Sequence, residues 1–101
     1  MSQDTTYQGW ANYATWRVRL ELFDGMTLDD MGYELGEGDE LPEPYDVGQD
    51  LKNRAEEHIE MTSSEGIARD YAYAFLSDVN WREIAEHMIE DAIEEAKYQT
   101  A

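Results

Sequence analysis

Gly9-Trp10-Ala11-Asn12-Tyr13-Ala14-Thr15-Trp16 is the stretch that decides the fold, because it holds two of the three tryptophans of the chain. Asn12 is a residue type that caps helices, since its side-chain oxygen accepts hydrogen bonds from the N–H groups of the next turn. Apolar side chains then recur every three or four residues, at Tyr13, Trp16, Leu20 and Phe23. This spacing predicts a helix with one apolar stripe.

The same segment permits a second interpretation as a strand. Apolar side chains also alternate with charged ones, at Trp16, Val18, Leu20 and Leu22, which is the period of a half-buried strand. We favour the helix, because no second strand is evident to pair with it and a lone strand leaves backbone groups unpaired. The aromatic side chains are interpreted as anchors of the core rather than as a ligand pocket, at Trp10, Tyr13, Trp16 and Trp81.

Capping residues and apolar periodicity predict a second and a third helix. Asp46 followed by Gln49 marks the start of the second. Its inward side is expected to carry Val47, Leu51, Ala55, His58, Ile59 and Thr62. The third helix is expected from Glu65 to about Ser77, after the interruption at Ser63-Ser64. Its stripe is expected at Ile67, Tyr71, Ala74, Phe75 and Asp78, the last already leaving the core.

The fourth predicted helix has the clearest local signature. Asn80 is a cap with an acid, Glu83, three residues later, and Val79 with Ile84 supplies the flanking apolar pair. Its core face is expected to carry Trp81, Ala85, Met88, Ala92 and Ala96, and this face is widened by Ile84, Ile89 and Ile93. The helix is expected to end at about Tyr98. Between the first two helices, Gly, Pro and acidic residues predict a long loop, with a short helical turn capped by Thr27 and Asp30.

These elements predict one domain, residues 1–101, of the all-α class: a compact bundle of about four helices with one long acidic loop. The acidic part of the loop runs from Asp29 to Glu43. With no cysteine, no apolar run near the roughly 20 residues of a membrane helix and no signal peptide at the N-terminus, we expect a cytoplasmic protein without membrane contact.

Charge is the strongest compositional signal. The chain has 24 acidic and 7 basic residues, a net charge of −17. Residues 1–50 hold 12 acids and 2 bases, and residues 51–101 hold 12 acids and 5 bases, so no single tail explains the excess. Such a surface repels nucleic acid and anionic lipid and attracts basic protein surfaces, at a rate that falls as salt rises.

Catalytic and metal sites are not indicated. His58 and His87 have no nucleophile context, and neither belongs to a His-Glu-x-x-His or Glu-x-x-His pattern. The acids of the loop do not fit the spacing of an EF-hand, so calcium binding is disfavoured against a solvated loop. We therefore predict no enzyme activity, no cofactor and no metal.

The outward acids of two helices are the candidate binding residues. Carboxylates three or four residues apart stand at about 5–6 Å, comparable with phosphates along a nucleic-acid strand. Their mutual repulsion destabilises the monomer, which favours a role in binding. The candidate residues are Glu83, Glu86, Glu90, Asp91 and Glu94 in the last helix, with Glu56, Glu57 and Glu60 in the second.

Two blocks of the chain resemble a family of small proteins of phages, plasmids and other mobile elements. The first is Tyr-x-Gly-Trp-x-Asn-Tyr-x-Thr-Trp-x-Val-x-Leu, which begins at Tyr7, and the second is Asp78-Val79-Asn80-Trp81-Arg82-Glu83-Ile84-Ala85. The family has no established general function, so the resemblance implies a bacterial or archaeal host and no catalytic residues. Phages carry small acidic inhibitors of restriction enzymes and of CRISPR effector complexes.

Together the charge and the resemblance suggest a non-enzymatic anti-CRISPR protein, a DNA mimic that blocks DNA binding by a CRISPR effector complex. One alternative is an anti-restriction DNA mimic. The other is an acidic protein-interaction module adapted to high salt, and the five arginine and two lysine residues of the chain are compatible with that adaptation. The partner would be a basic nucleic-acid-binding protein, and a homodimer that extends the charged face is left open.

Overall fold

A computed structural model describes residues 6–33 and 41–99, with the side chains of the last helix described as far as residue 97. Within these ranges there are four helices and no strand. The helices are α1 (Tyr13–Leu22), α2 (Pro44–Thr62), α3 (Ile67–Leu76) and α4 (Trp81–Gln99). The predicted all-α bundle of about four helices is confirmed, and residues 13–22 are helical rather than extended. Part of the predicted acidic loop, residues 34–40, lies outside the described residues.

The core lies mainly between α2 and α4. Its buried side chains include Val47, Leu51 and Ala55 from α2 and Ile84, Ala85, Met88 and Ile89 from α4, as the periodicity of both helices predicted. Gly48 is also buried, and a Cβ built on it would lie 3.2 Å from the carbonyl carbon of Trp81. The second turn of α2 therefore approaches the backbone of the first turn of α4 closely.

The starts of α1 and α4 are tied together by what we call the cap network, formed by Asn12, Thr15 and Asn80. Asn12 Oδ1 accepts hydrogen bonds from the Thr15 N–H at 2.9 Å and from the Thr15 hydroxyl at 2.6 Å. The Asn80 N–H donates to the same hydroxyl oxygen at 2.8 Å. Asn12 Nδ2 donates to the carbonyl oxygen of Asp78 at 2.7 Å, and Asn80 Oδ1 accepts from the Glu83 N–H at 3.0 Å. Both predicted caps are confirmed, and each also contacts the other block.

The predicted inward stripe of the first helix is wrong at Tyr13 and Leu20, although the helix itself is correct. Ala14, Thr15 and Val18 are its buried residues, whereas Tyr13 and Leu20 are 43% and 38% exposed. Because α1 has apolar residues on every side, its periodicity alone cannot select a face. The hydrogen bond between Thr15 and Asn80 turns the Thr15 side of the helix inward instead.

Trp10 and Trp81 pack against the core as predicted, but Tyr13 does not. Trp16 is half-buried and makes its ring contacts with other aromatic side chains near the surface. Its ring centroid lies 4.9 Å from that of Tyr7 and 5.8 Å from that of Tyr13. Phe23, the last residue of the predicted stripe, is buried.

The predicted stripe of α3 also faces outward. Ile67 and Tyr71 are 67% and 68% exposed, while Leu76 is buried. The inner side carries Arg69, whose guanidinium donates to the carbonyl oxygen of Glu60 at 3.1 Å and to that of Ser63. Since carbonyl groups at a helix C-terminus attract a cation, Arg69 fixes the rotation of α3 against the end of α2.

Two predicted helix starts differ from the structure. The first turn of α2 begins at Pro44 rather than after Asp46, and no side chain caps it, because proline suits the first helical position and needs no partner for an N–H. The third helix begins at Ile67 rather than Glu65, since Gly66 has a φ of +145°. On α2, His58 and Thr62 are exposed and Ile59 is partly buried, so its buried stripe ends sooner than predicted.

The short turn predicted after Gly25 is confirmed. The Thr27 N–H donates to Asp30 Oδ2 at 2.9 Å, and the Asp30 N–H donates to Thr27 Oγ1 at 3.2 Å, which is a reciprocal capping pair. The turn places Leu28 and Met31 in the core. It also brings Tyr33 close to α2.

Candidate functional site

Three of the eight candidate carboxylates share the exposed side of α4. Glu86, Glu90 and Glu94 stand on successive turns and are all exposed, on the side away from the buried Ala85 and Met88. Side chains at this spacing lie at about 5–6 Å from one another. We call these three residues the α4 acid row.

One residue of the α4 acid row has a basic neighbour. Arg82 Nε lies 3.4 Å from Glu86 Oε1, and the two side chains are 65% and 49% exposed. Exposed pairs of this kind contribute at most about 1 kcal/mol and exchange easily with other partners. Glu86 therefore remains accessible to a basic surface.

Glu83 does not belong to this row, although its sequence position suggested that it would. Its Oε1 accepts a hydrogen bond from the Ala11 N–H at 2.8 Å, and the contact is partly buried. The Asn80 N–H, which a capping-box acid would bind, donates instead to Thr15. Glu83 thus attaches α4 to the segment before α1, and we assign it a structural role.

The three candidate acids of α2 have different surroundings. Glu60 Oε1 accepts a hydrogen bond from the Tyr73 hydroxyl at 2.9 Å, so this carboxylate links α2 to α3. Glu56 is partly buried and Glu57 is exposed. The structure therefore does not present these acids as a uniform second row.

Asp91 lines a groove of about 170 Å³ between α4 and the segment from α1 to Thr27. The Trp10 and His87 rings are in contact there at an interplanar angle of 34°, with centroids 4.2 Å apart, and the Arg19 guanidinium lies 5.7 Å from the Trp10 centroid. Arg19 also pairs with Asp24 at 3.3 Å. Typical ligand sites have roughly 300–1,000 Å³, so we assign no ligand to this smaller groove.

An exposed apolar surface at α1 and α3 was not predicted. It combines Tyr7, Tyr13 and Leu20 at α1 with Ile67, Tyr71 and Phe75 of α3, and we call these six residues the α1–α3 face. The Tyr13 and Phe75 rings join the two helices, with centroids 6.3 Å apart. The sequence pattern predicts inward or core positions for five of the six, all except Tyr7, so their apolar character is evident from the sequence but their outward direction is not.

Two tyrosines have perturbed acidity. Desolvation, followed by the nearby Asp50 carboxylate, raises the pKa of Tyr33, whose hydroxyl donates to Asp50 Oδ2 at 3.4 Å. Desolvation and the hydrogen bond to Glu60 raise the pKa of Tyr73. In each case a neutral phenol donates to a carboxylate, which is an arrangement that supports packing between elements.

In residues 6–33 and 41–99 no group of three or more His, Asp or Glu side chains is arranged to hold a metal ion. No helix in the same ranges is long and apolar enough to cross a membrane.

Comparison of the chain with models of known protein families, with curated proteins and with solved structures found no match. The resemblance to mobile-element proteins therefore stays a prediction. What the structure defines for residues 6–33 and 41–99 is a class: a four-helix domain in which most of the acidic residues of the helices belong to two of them. Helix α2 has five acidic and two basic residues and α4 has six acidic and two basic, whereas α1 has one acidic and two basic and α3 has one of each.

Proposed function

We propose that the protein is a non-enzymatic inhibitor that occupies the nucleic-acid-binding surface of a basic host protein in place of DNA. The α4 acid row carries this proposal, because it presents three exposed carboxylates on successive turns of a chain with a net charge of −17. Lys and Arg residues that normally meet phosphates would pair with them, as they do along a DNA backbone.

The other candidate acids contribute unequally to this proposal. Glu57, which is exposed, and Glu56, which is partly buried, are placed to add contacts from α2. The Glu60 carboxylate would contact a partner while its Oε1 also accepts the hydrogen bond from the Tyr73 hydroxyl. Asp91 lies beside the groove, and Glu83 is excluded because it binds the Ala11 backbone.

A CRISPR effector complex is the proposed target class, and a restriction enzyme is the alternative. The test is competition for DNA: each candidate effector complex is mixed with its target duplex and increasing amounts of the protein, at several salt concentrations. We expect loss of DNA binding that weakens as salt rises, because the contacts are ionic. If no effector or restriction enzyme loses affinity for DNA even at low salt, the proposal fails.

A second candidate function is an acidic interaction module adapted to high salt, without mimicry. The even division of charge, −10 in residues 1–50 and −7 in residues 51–101, favours it. Thermal unfolding followed by circular dichroism between low and molar salt distinguishes the two. A mimic should be folded at low salt, whereas a salt-adapted protein should fold only near molar salt, when repulsion among its carboxylates is screened.

A further inference from the structure

The α1–α3 face is large for an uncovered apolar surface. Ile67 and Tyr71 are more than two-thirds exposed, and the other four members are between 36% and 43% exposed. At roughly 200 Å² per side chain, the value for an aromatic residue, the exposed parts of the six side chains sum to at most about 600 Å². The largest apolar patch on a typical monomer is about 300–600 Å². A surface of this size indicates an interaction site.

The face is also continuous between its two helices. The Tyr7 ring packs edge-on against Tyr13, with centroids 5.1 Å apart, and Tyr13 in turn meets Phe75 edge-on. On α3, Ile67, Tyr71 and Phe75 follow one another at intervals of four residues. A partner would therefore meet aromatic side chains from both helices, a residue type enriched at the centre of protein interfaces.

The distribution of charge argues against a basic partner at this face. Helices α1 and α3 together carry three basic and two acidic residues, while α2 and α4 together carry eleven acidic and four basic residues. One of the basic residues of α1, Arg17, is already paired with Glu21 at 3.0 Å. A basic protein would find its countercharge on the other two helices.

We infer that the α1–α3 face binds the same face of a second copy of this chain. Among the described helices, α1 and α3 are the pair through which two molecules of net charge −17 can meet without bringing acidic helices together. A twofold contact requires a self-complementary patch, and an apolar, nearly neutral surface satisfies that requirement. In each copy, the α4 acid row then lies on a helix outside the contact.

The dimer should be moderate in strength and should depend on salt. About 600 Å² per copy is below the roughly 800 Å² that a standard stable interface buries on each partner. Long-range repulsion between two acidic molecules opposes association and is screened by salt. Dimerisation should therefore strengthen as salt rises, whereas the proposed binding to a basic target should weaken. The inference does not rest on nucleic-acid mimicry.

Sedimentation velocity over a wide range of protein concentration, at low and at molar salt, tests the inference. We expect a monomer–dimer equilibrium that shifts toward dimer at molar salt, and the variant Tyr71→Glu should be monomeric under the same conditions. Tyr45→Glu is the matched control, because Tyr45 is similarly exposed, at 64%, but belongs to α2. It should dimerise like the unmodified chain.

Circular dichroism should show unchanged helicity for Tyr71→Glu, since the side chain is on the surface. If that variant does not fold, Ile67→Ala together with Tyr71→Ala replaces it and should weaken dimerisation at least tenfold. A chain that is monomeric at every concentration and salt overturns the inference. So does a folded Tyr71→Glu variant, or a folded double alanine variant, that dimerises as tightly as the unmodified protein.

Discussion

The Asn80 N–H donates a hydrogen bond to the hydroxyl oxygen of Thr15 across 65 positions of sequence, at 2.8 Å. Thr15 is completely buried, and its own hydroxyl proton goes to Asn12 Oδ1. One side chain therefore joins the caps of α1 and α4. The two sequence blocks that begin at Tyr7 and at Asp78 are the two halves of this cap network.

Replacing Thr15 by Val keeps the shape of the side chain but removes the hydroxyl. The Asn80 N–H then loses its acceptor in a partly buried site, which should cost about 1–3 kcal/mol of the free energy of unfolding. Thr15→Ser is the control, because it keeps the hydroxyl and loses a methyl group. Urea unfolding should rank Thr15→Val below Thr15→Ser, and the reverse order would contradict the role of the cap network.

Trp10 and Trp16 should differ in their contributions to stability. Trp10 packs against the core and its ring contacts that of His87, so Trp10→Ala should cost about 2–4 kcal/mol. Trp16 is half-buried among Tyr7 and Tyr13, and Trp16→Ala should cost about 1–2 kcal/mol. Equal losses on urea unfolding would place Trp16 in the core after all.

Gly48 should resist replacement although it lies inside a helix. Alanine normally stabilises such a position by about 1 kcal/mol, but here a Cβ would lie 3.2–3.3 Å from three backbone atoms of Trp81 and Arg82. We expect Gly48→Ala to lower the unfolding free energy by about 1 kcal/mol or more. Gln49→Ala, at the exposed neighbouring position, should be neutral or stabilising. A stabilised Gly48→Ala would show that α2 and α4 separate easily.

Tyr33 and Tyr73 should ionise late in an alkaline titration. The pKa of each phenol is raised in the folded protein, so the folded state holds these protons more tightly than the unfolded state. The resulting stability is complete below the unfolded pKa of about 10 and is lost as the pH rises through the folded values. The ultraviolet absorbance of phenolate should show a phase at higher pH than that of the other tyrosines. This phase should disappear in the double variant that combines Tyr33→Phe and Tyr73→Phe. A late phase of unchanged size in that variant would refute the assignment.

The helices themselves were predictable from local sequence because their caps act locally. Asn12, Asn80 and the pair Thr27 and Asp30 each satisfy N–H groups a few residues away, and such patterns are visible in sequence. The core of α2 and α4 was also predictable, since each helix has a single apolar face. Two helix starts were exceptions. The fixed φ of Pro44 began α2 earlier than the capping pattern indicated, and the positive φ of Gly66 delayed the start of α3 to Ile67.

The rotation of α1 and α3 was not predictable, since distant hydrogen bonds decide it. Both helices are short and largely apolar, and their inward sides are selected by Thr15 meeting Asn80 and by Arg69 meeting the end of α2. For the same reason the roles of Glu83 and Glu60 were hidden. Their partners, Ala11 and Tyr73, belong to other parts of the chain.

The α4 acid row can be tested apart from net charge with two triple variants. Glu86→Gln, Glu90→Gln and Glu94→Gln together remove three exposed carboxylates from α4. Asp29→Asn, Glu65→Gln and Asp70→Asn remove three exposed carboxylates from other parts of the chain. Both variants have a net charge of −14, since each loses three of the 17 excess negative charges. The α4 variant should melt at an equal or higher temperature than the unmodified protein, because repulsion within the row is relieved.

The most direct measurement is the concentration of each variant that displaces target DNA from an effector complex inhibited by the unmodified protein, at low salt. If the α4 acid row replaces phosphates, the α4 variant should need at least tenfold more protein than the matched control. Equal potency of the two variants would show that net charge alone, and not the row, is responsible, and would contradict the proposed mimicry.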